Sequence, residues 1–248
     1  MLRLFVVWLS AMIIASCGPI KEPVDASDRP IRITRIRGPV YLVEDLNYWK
    51  TNSVFYVNDS GGVFTGAGWT EKSAKQILWK AATLTMAEFT AVVPADHRLP
   101  YSGGLQEFKK QSVPIYLSKK SRTLMLEQWK DLNLDMSSFG SWKEIPAAEP
   151  DHIFDGSMEF LGGSVIVREI DAGQRSSAIA AYFPAERILF LGSALSDPPY
   201  FYTYDRKALR SSITELMKLP FEIAISGHGK AIRNRAFVED QLRQLNAD

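Results

Sequence analysis

The sequence predicts an α/β sandwich, an αββα arrangement in which two mixed sheets pack between outer helices. Two observations carry this. Short β-branched and aromatic runs come in clusters broken by stretches of helical apolar spacing, and the clusters fall into two roughly similar halves. The chain has 248 residues, 46% hydrophobic and 23% charged, enough for one large domain with a full core. Its 29 basic and 28 acidic residues leave a net charge of +1, without the basic excess or stripe that nucleic-acid binding requires.

The N-terminus stands apart from this pattern. Arg3 precedes an apolar run, Leu4 to Ala15, which is too short to span a bilayer as a helix and reads as a secretory signal. Ile14-Ala15-Ser16-Cys17 follows, and Cys17 is the only cysteine of the chain, so no disulfide can form within it. Small residues before a single cysteine at the point of cleavage resemble a bacterial lipobox. That resemblance implies removal of residues 1–16, acylation of Cys17 and a membrane partner. Gly18, rather than Asp, after the cysteine implies the periplasmic face of the outer membrane. The alternative is an ordinary signal peptide with an incidental cysteine. Residues 17–30 are polar with three prolines and read as a tether. The domain is expected over residues 31–248.

The domain opens with strands: Ile31 to Ile36, Val40 to Glu44 after the Gly38-Pro39 turn, Ser53 to Asn58, and a return from Val63 across the Asp59-Ser60-Gly61-Gly62 turn. Glu71 to Leu84 reads as a helix capped by Thr70, with Ile77, Leu78, Ala81, Ala82 and Leu84 on its apolar face. Trp69 and Trp79 read as core packing. Further strands are expected at Val113–Leu117, Phe154–Phe160, Ser164–Ile170, Ala178–Phe183, Arg187–Leu191 and Glu222–Ser226, and helices at Lys119–Leu132, Arg206–Met217 and Ala236–Leu245. Asn133 to Pro150 is an irregular connection.

The stretch Ala91 to Gly104 joins these halves. A short apolar run, Ala91-Val92-Val93, delivers a polar loop holding Asp96 and His97, and Gly103-Gly104 leads into a helix from Leu105 to Gln111. A strand that feeds a polar loop into a helix start is a common place for a metal or catalytic site. By itself an Asp-His pair is more often solvated than ligating.

Several segments, in order and over most of the chain, resemble the metallo-β-lactamase family, in particular its periplasmic mono-zinc subclass. They are Val40 to Asp45, Asn52 to Val57, Gly66 to Thr70, Ser102 to Gly104, Phe154 to Phe160, Tyr182 to Phe190 and Ser226 to Gly229. The resemblance implies the sandwich fold and a zinc centre that activates water for hydrolysis. It also implies where the ligands should lie. Counted back from Gly103-Gly104, the ligand positions hold Asp96, Arg98 and Pro100; a one-residue shift brings in His97 but leaves Leu99. In the second half they hold Gln174 and Ser193, the substrate-binding lysine is replaced by Ser196, and only His228 is retained. Arginine carries a fixed positive charge and proline has no side-chain donor, so most of the set is lost.

Three readings follow. The domain binds something without turning it over and needs no cofactor; or it holds one zinc ion through Asp96, His97, His228 and Asp197 and hydrolyses an ester or amide; or Ser193, with His228 as base and Asp96 as orienter, works without metal. Arg98 and Gln174 are candidate contacts for a small anionic ligand, since guanidinium matches carboxylate and phosphate. Tyr48 and Trp49 either line a cleft or cap the core. Tyr200 and Tyr202, in an aromatic run after Pro198-Pro199, are candidates for contact with a ligand or an envelope protein. His152 is expected in solvent.

Overall fold

Alternating apolar residues in Val40–Asp45 (β2) and Thr51–Asn58 (β3) place one set of side chains on each face of a sheet. The structure, a computed structural model, describes residues 30–138, 142–173, 177–196 and 205–246. Cys17, Gln174, Asp197, Tyr200 and Tyr202 lie outside the described residues, as do the signal and nearly all of the tether. Ile31–Arg37 (β1), β2, β3, Gly61–Phe64 (β4) and Phe89–Val92 (β5) form one sheet in that order, antiparallel except for the parallel β4–β5 pair. The second sheet runs from Ser157–Phe160 (β8) through Val165–Glu169 (β9), Ile179–Phe183 (β10), Ile188–Phe190 (β11) and Ile223–Ile225 (β12) to Ile232–Asn234 (β13). Only its β11–β12 pair is parallel. A separate parallel pair joins Tyr116–Ser118 (β6) to His152–Phe154 (β7).

The two sheets face each other across a core that includes Leu42, Val54, Tyr56 and Val63 on one side and Val167, Ala181, Phe183 and Phe190 on the other. Outside the first sheet lie Glu71–Ala82 (α1), Leu99–Ser102 (α2), Leu105–Lys110 (α3) and Lys119–Met136 (α4), and residues of all four join its outer core. Arg206–Leu216 (α5) and Arg235–Asn246 (α6) cover the second sheet through Leu209, Ile213, Leu216 and Val238. This is the predicted αββα sandwich.

The caps follow local chemistry. Thr70 accepts the Ser73 N–H at 3.1 Å to begin α1, Ser118 accepts that of Ser121 at 3.1 Å to begin α4, and Asp205 accepts that of Ala208 at 3.0 Å to begin α5. From the last turns of α4, past the expected end at Leu132, Asn133 anchors the irregular connection: its amide donates to the Ile145 carbonyl at 3.1 Å and accepts the Ile145 N–H at 2.9 Å.

Four expectations are corrected. Helix α1 ends at Ala82 with Thr83 as its C-cap, so Leu84 lies past the helix and is exposed. Trp79 is exposed as well, because the buried stripe is Ala74, Ile77, Leu78 and Ala81, and Trp79 stands about 200° round the helix from Ile77. The segment Phe154–Phe160 is not one strand: Gly156, at a φ of +67°, breaks it into β7 and β8, which belong to different sheets. The strand expected at Val113–Leu117 forms at Tyr116–Ser118, its earlier part held by a single bridge from Val92 to Ile115. Helix α2 and strand β13 are additional; each is too short to leave a periodic pattern. Trp69 is buried and His152 is exposed, as expected.

Gly103 and Gly104 sit where two backbones touch. A Cβ on Gly103 would lie 1.9 Å from the Trp69 carbonyl oxygen, and one on Gly104 would lie 2.1 Å from that of Ala67. Their φ values are ordinary, so the requirement is space. Gly104→Ala should therefore destabilise the domain by about 3 kcal/mol or more, as expected of overpacking against backbone that cannot yield. A shift of the urea midpoint to lower concentration, at unchanged slope, checks this.

Candidate functional site

Strand β5 ends at Val92, and the chain runs through Pro94 into a wholly buried pair, Asp96 and His97, before α2 begins. Asp96 is fully shielded from solvent and makes four contacts, two at each carboxylate oxygen. Oδ1 accepts the Arg98 backbone N–H at 3.0 Å and lies 3.0 Å from His97 Nδ1. Oδ2 accepts the Arg98 guanidinium at 2.5 Å and the Ser193 hydroxyl at 2.5 Å. Burial alone would raise the Asp96 pKa; the Arg98 charge and the His97 contact outweigh it and hold the carboxyl well below its ordinary range. Asp96 is thus an ionised, matched carboxylate.

His97 is held on both sides of its ring. Nδ1 is 2.8 Å from the Ser177 hydroxyl as well as facing Asp96, and Nε2 is 3.2 Å from Gln128 Oε1. In either tautomer both ring nitrogens face protein partners. Ser102 donates to the Asp96 carbonyl at 2.7 Å and closes the turn beneath it.

His228 approaches from the other half. Its backbone forms bridges to Thr51 and Ser196, and its Nδ1 is 3.1 Å from the Lys50 carbonyl oxygen. That contact places the proton on Nδ1 and leaves Nε2 as an acceptor. Burial lowers the His228 pKa, and the nearby Arg98 charge adds to this against the opposing pull of the Lys50 carbonyl and Asp96. The imidazole is therefore neutral near neutral pH. Gly227 lets this loop come so close: a Cβ there would lie 2.1 Å from Tyr101 Oη and 2.2 Å from the Gly192 carbonyl oxygen. Asn52 pins the loop from β3, donating its backbone N–H to the Gly227 carbonyl at 2.7 Å and its side-chain amide to the Ser226 carbonyl at 3.0 Å.

The fold thus brings Asp96, His97, Arg98 and Ser193 into one network with His228 at its margin. Tyr48 is half-buried, its ring 5.2 Å from Trp69 and 5.3 Å from Trp142, so it caps the core. Trp49 is 58% exposed, with its ring 5.5 Å from Trp69. Ser177, Gln128, Tyr101 and Asn52 are parts of the site that the sequence does not single out. Ser177 lies 80 residues from His97, and a lone serine carries no local signal.

The described residues do not fit a zinc ion. Among the described residues no group of three or more His, Cys, Asp or Glu side chains converges. Both oxygens of Asp96 and both nitrogens of His97 are committed to protein partners, and the Arg98 guanidinium, 28% exposed, occupies the approach to Asp96. Ser193 donates its hydroxyl to Asp96 at 2.5 Å, so the carboxylate expected to orient His228 holds the serine itself, and His228 Nδ1 faces the Lys50 carbonyl oxygen instead.

With this geometry in view, the fold can be compared with solved structures. The DIM-1 metallo-β-lactamase superposes with a TM-score of 0.71 at 14% identity, covering 88% of this chain and 98% of the other. A metallo-β-lactamase from Pontibacter korlensis gives 0.69 at 17% identity over 88% and 100%. FIM-1 from Pseudomonas aeruginosa, in its mono-zinc form, gives 0.69 at 16% identity over 89% and 96%. The chain has the metallo-β-lactamase fold over nearly the full length of these proteins. No protein-family model matches the sequence.

Asp96→Asn should cost about 3 kcal/mol, since it removes the charge of a buried carboxylate that accepts from both Arg98 and Ser193. Because the folded carboxyl is more acidic than the unfolded one, its contribution is complete above a pH of about 4 and fades as pH falls through the folded value. Wild type should therefore lose stability on acidification below that pH by more than the variant does, as denaturation at graded pH would record.

Proposed function

We propose that the chain is a lipid-anchored protein of the bacterial cell envelope whose metallo-β-lactamase-like domain binds or regulates rather than hydrolyses. One observation carries the reading: the carboxylate at the centre of the site is saturated by Arg98, Ser193 and His97. A zinc centre polarises a carbonyl and lowers the pKa of water. An internal ion pair does neither. The loss of ligands at Arg98, Pro100 and Ser193 supports descent from a zinc hydrolase, of mono-zinc type by the sequence resemblance. An anion seeking Arg98 would compete with Asp96 at 2.5 Å, which favours a partner on the outer surface of the domain over a small anion in the site.

Three measurements test this. Metal analysis of the purified protein should find zinc well below one equivalent. Chelator should leave Tm unchanged, because only a ligand of the folded state raises it, and a chromogenic cephalosporin should not be turned over. Stoichiometric zinc, a chelator-sensitive Tm and turnover would overturn the non-hydrolytic reading. Separately, Cys17→Ser should shift the protein out of the membrane fraction and abolish fatty-acid labelling; a variant that labels and fractionates like wild type would sink the anchor.

A further inference from the structure

The solvent side of α1 has no role in the site. Lys72, Lys75, Gln76, Trp79 and Lys80 fall at spacings of three, four, seven and eight residues and share that side of the helix. Trp79 is 64% exposed, and the chain beyond the C-cap adds Leu84 at 44% and Met86 at 100%. Large apolar side chains clustered within a few residues and rimmed by lysines mark a contact surface more than scattered exposure does. The acidic groups nearby offset part of this charge, that of Lys75 included. Glu71 is paired with Lys110 at 2.7 Å, Glu107 is buried at 3.9 Å from both Lys75 and Lys110, and Glu88 is the remaining carboxylate of the adjoining loop.

The start of the domain lies on this same side. The Ile31 N–H donates to Gln76 Oε1 at 3.2 Å, so the chain enters β1 against α1, one helical turn from Trp79. The thirteen residues 18–30 join that point to Cys17 and reach about 45 Å at full extension. An acylated Cys17 would hold this face near the bilayer at high effective concentration, where even a weak contact is populated.

We infer that Trp79, Leu84 and Met86, with Lys75 and Lys80, dock the domain onto an anionic phospholipid surface. The inference rests on the anchored reading above. Tryptophan favours the membrane–water boundary, and Leu84 and Met86 supply apolar area to bury there. Each lysine brought to an anionic surface strengthens partitioning by about fivefold. Docked this way, the domain would lie with α1 on the lipid and the second sheet, α5 and α6 directed away from it.

The test uses the full acylated chain reconstituted in phosphatidylethanolamine–phosphatidylglycerol vesicles with brominated acyl chains, which quench tryptophans at the bilayer. Subtracting the emission of Trp79→Phe isolates Trp79, and an unchanged Tm for the variant is the control for folding. The expected result is strong quenching of Trp79, lost in a Lys75→Glu/Lys80→Glu chain and in neutral phosphatidylcholine. A chain that fails to float with the vesicles overturns the anchor and this inference together. A chain that floats with Trp79 unquenched overturns the docking face alone. Quenching that ignores both lipid charge and the lysine changes overturns an anionic surface as the partner. Concentration-dependent burial of Trp79 without lipid assigns the face to a second copy of the chain and overturns a lipid partner.

Discussion

An ionised carboxylate with no access to water has to be matched on every side, and Asp96 is such a group. The matching draws on distant parts of the chain. Arg98 comes from the same loop, Ser193 from the short turn after β11, and His97 is itself fixed by Ser177 at the entry to β10. The two halves of the sandwich therefore meet at one charge. Removing it would take from Arg98 and Ser193 the carboxylate to which both donate.

Close backbone approach is the second constraint. Gly103 and Gly104 clasp the segment from Ala67 to Trp69, and Gly227 lies against Tyr101 and Gly192. These contacts would hold the loops in place whatever side chains filled the centre. The loops are thus positioned by backbone contacts and glycines, and the centre needs only a balanced set of charges.

Much of the fold was legible in the sequence because its signals are local. Thr70 before Glu71, the alternation in β2 and β3 and the turn at Asp59 to Gly62 each report their own structure within a few residues. The poor donor chemistry of Arg98 and Pro100 was legible too, since neither side chain ligates a cation in any arrangement. The failures share a different cause. Trp79 was placed in the core on residue type, although its helical angle turned it outward. Phe154 to Phe160 was read as one strand because nothing in its composition says that Gly156 sends the chain from one sheet to another.

The sequence by itself determined the sandwich, the order of its elements and the donor types its central loop can offer, because periodicity, capping and donor type are properties of neighbouring residues. Only the tertiary structure decided how those groups are used. Arg98 paired with Asp96, Ser193 donating to the same carboxylate, and His97 between Ser177 and Gln128 are contacts across as many as 97 residues of chain. Whether a buried charge is free or matched depends on which groups the packing of two sheets brings within 3 Å of it, and no local pattern encodes that.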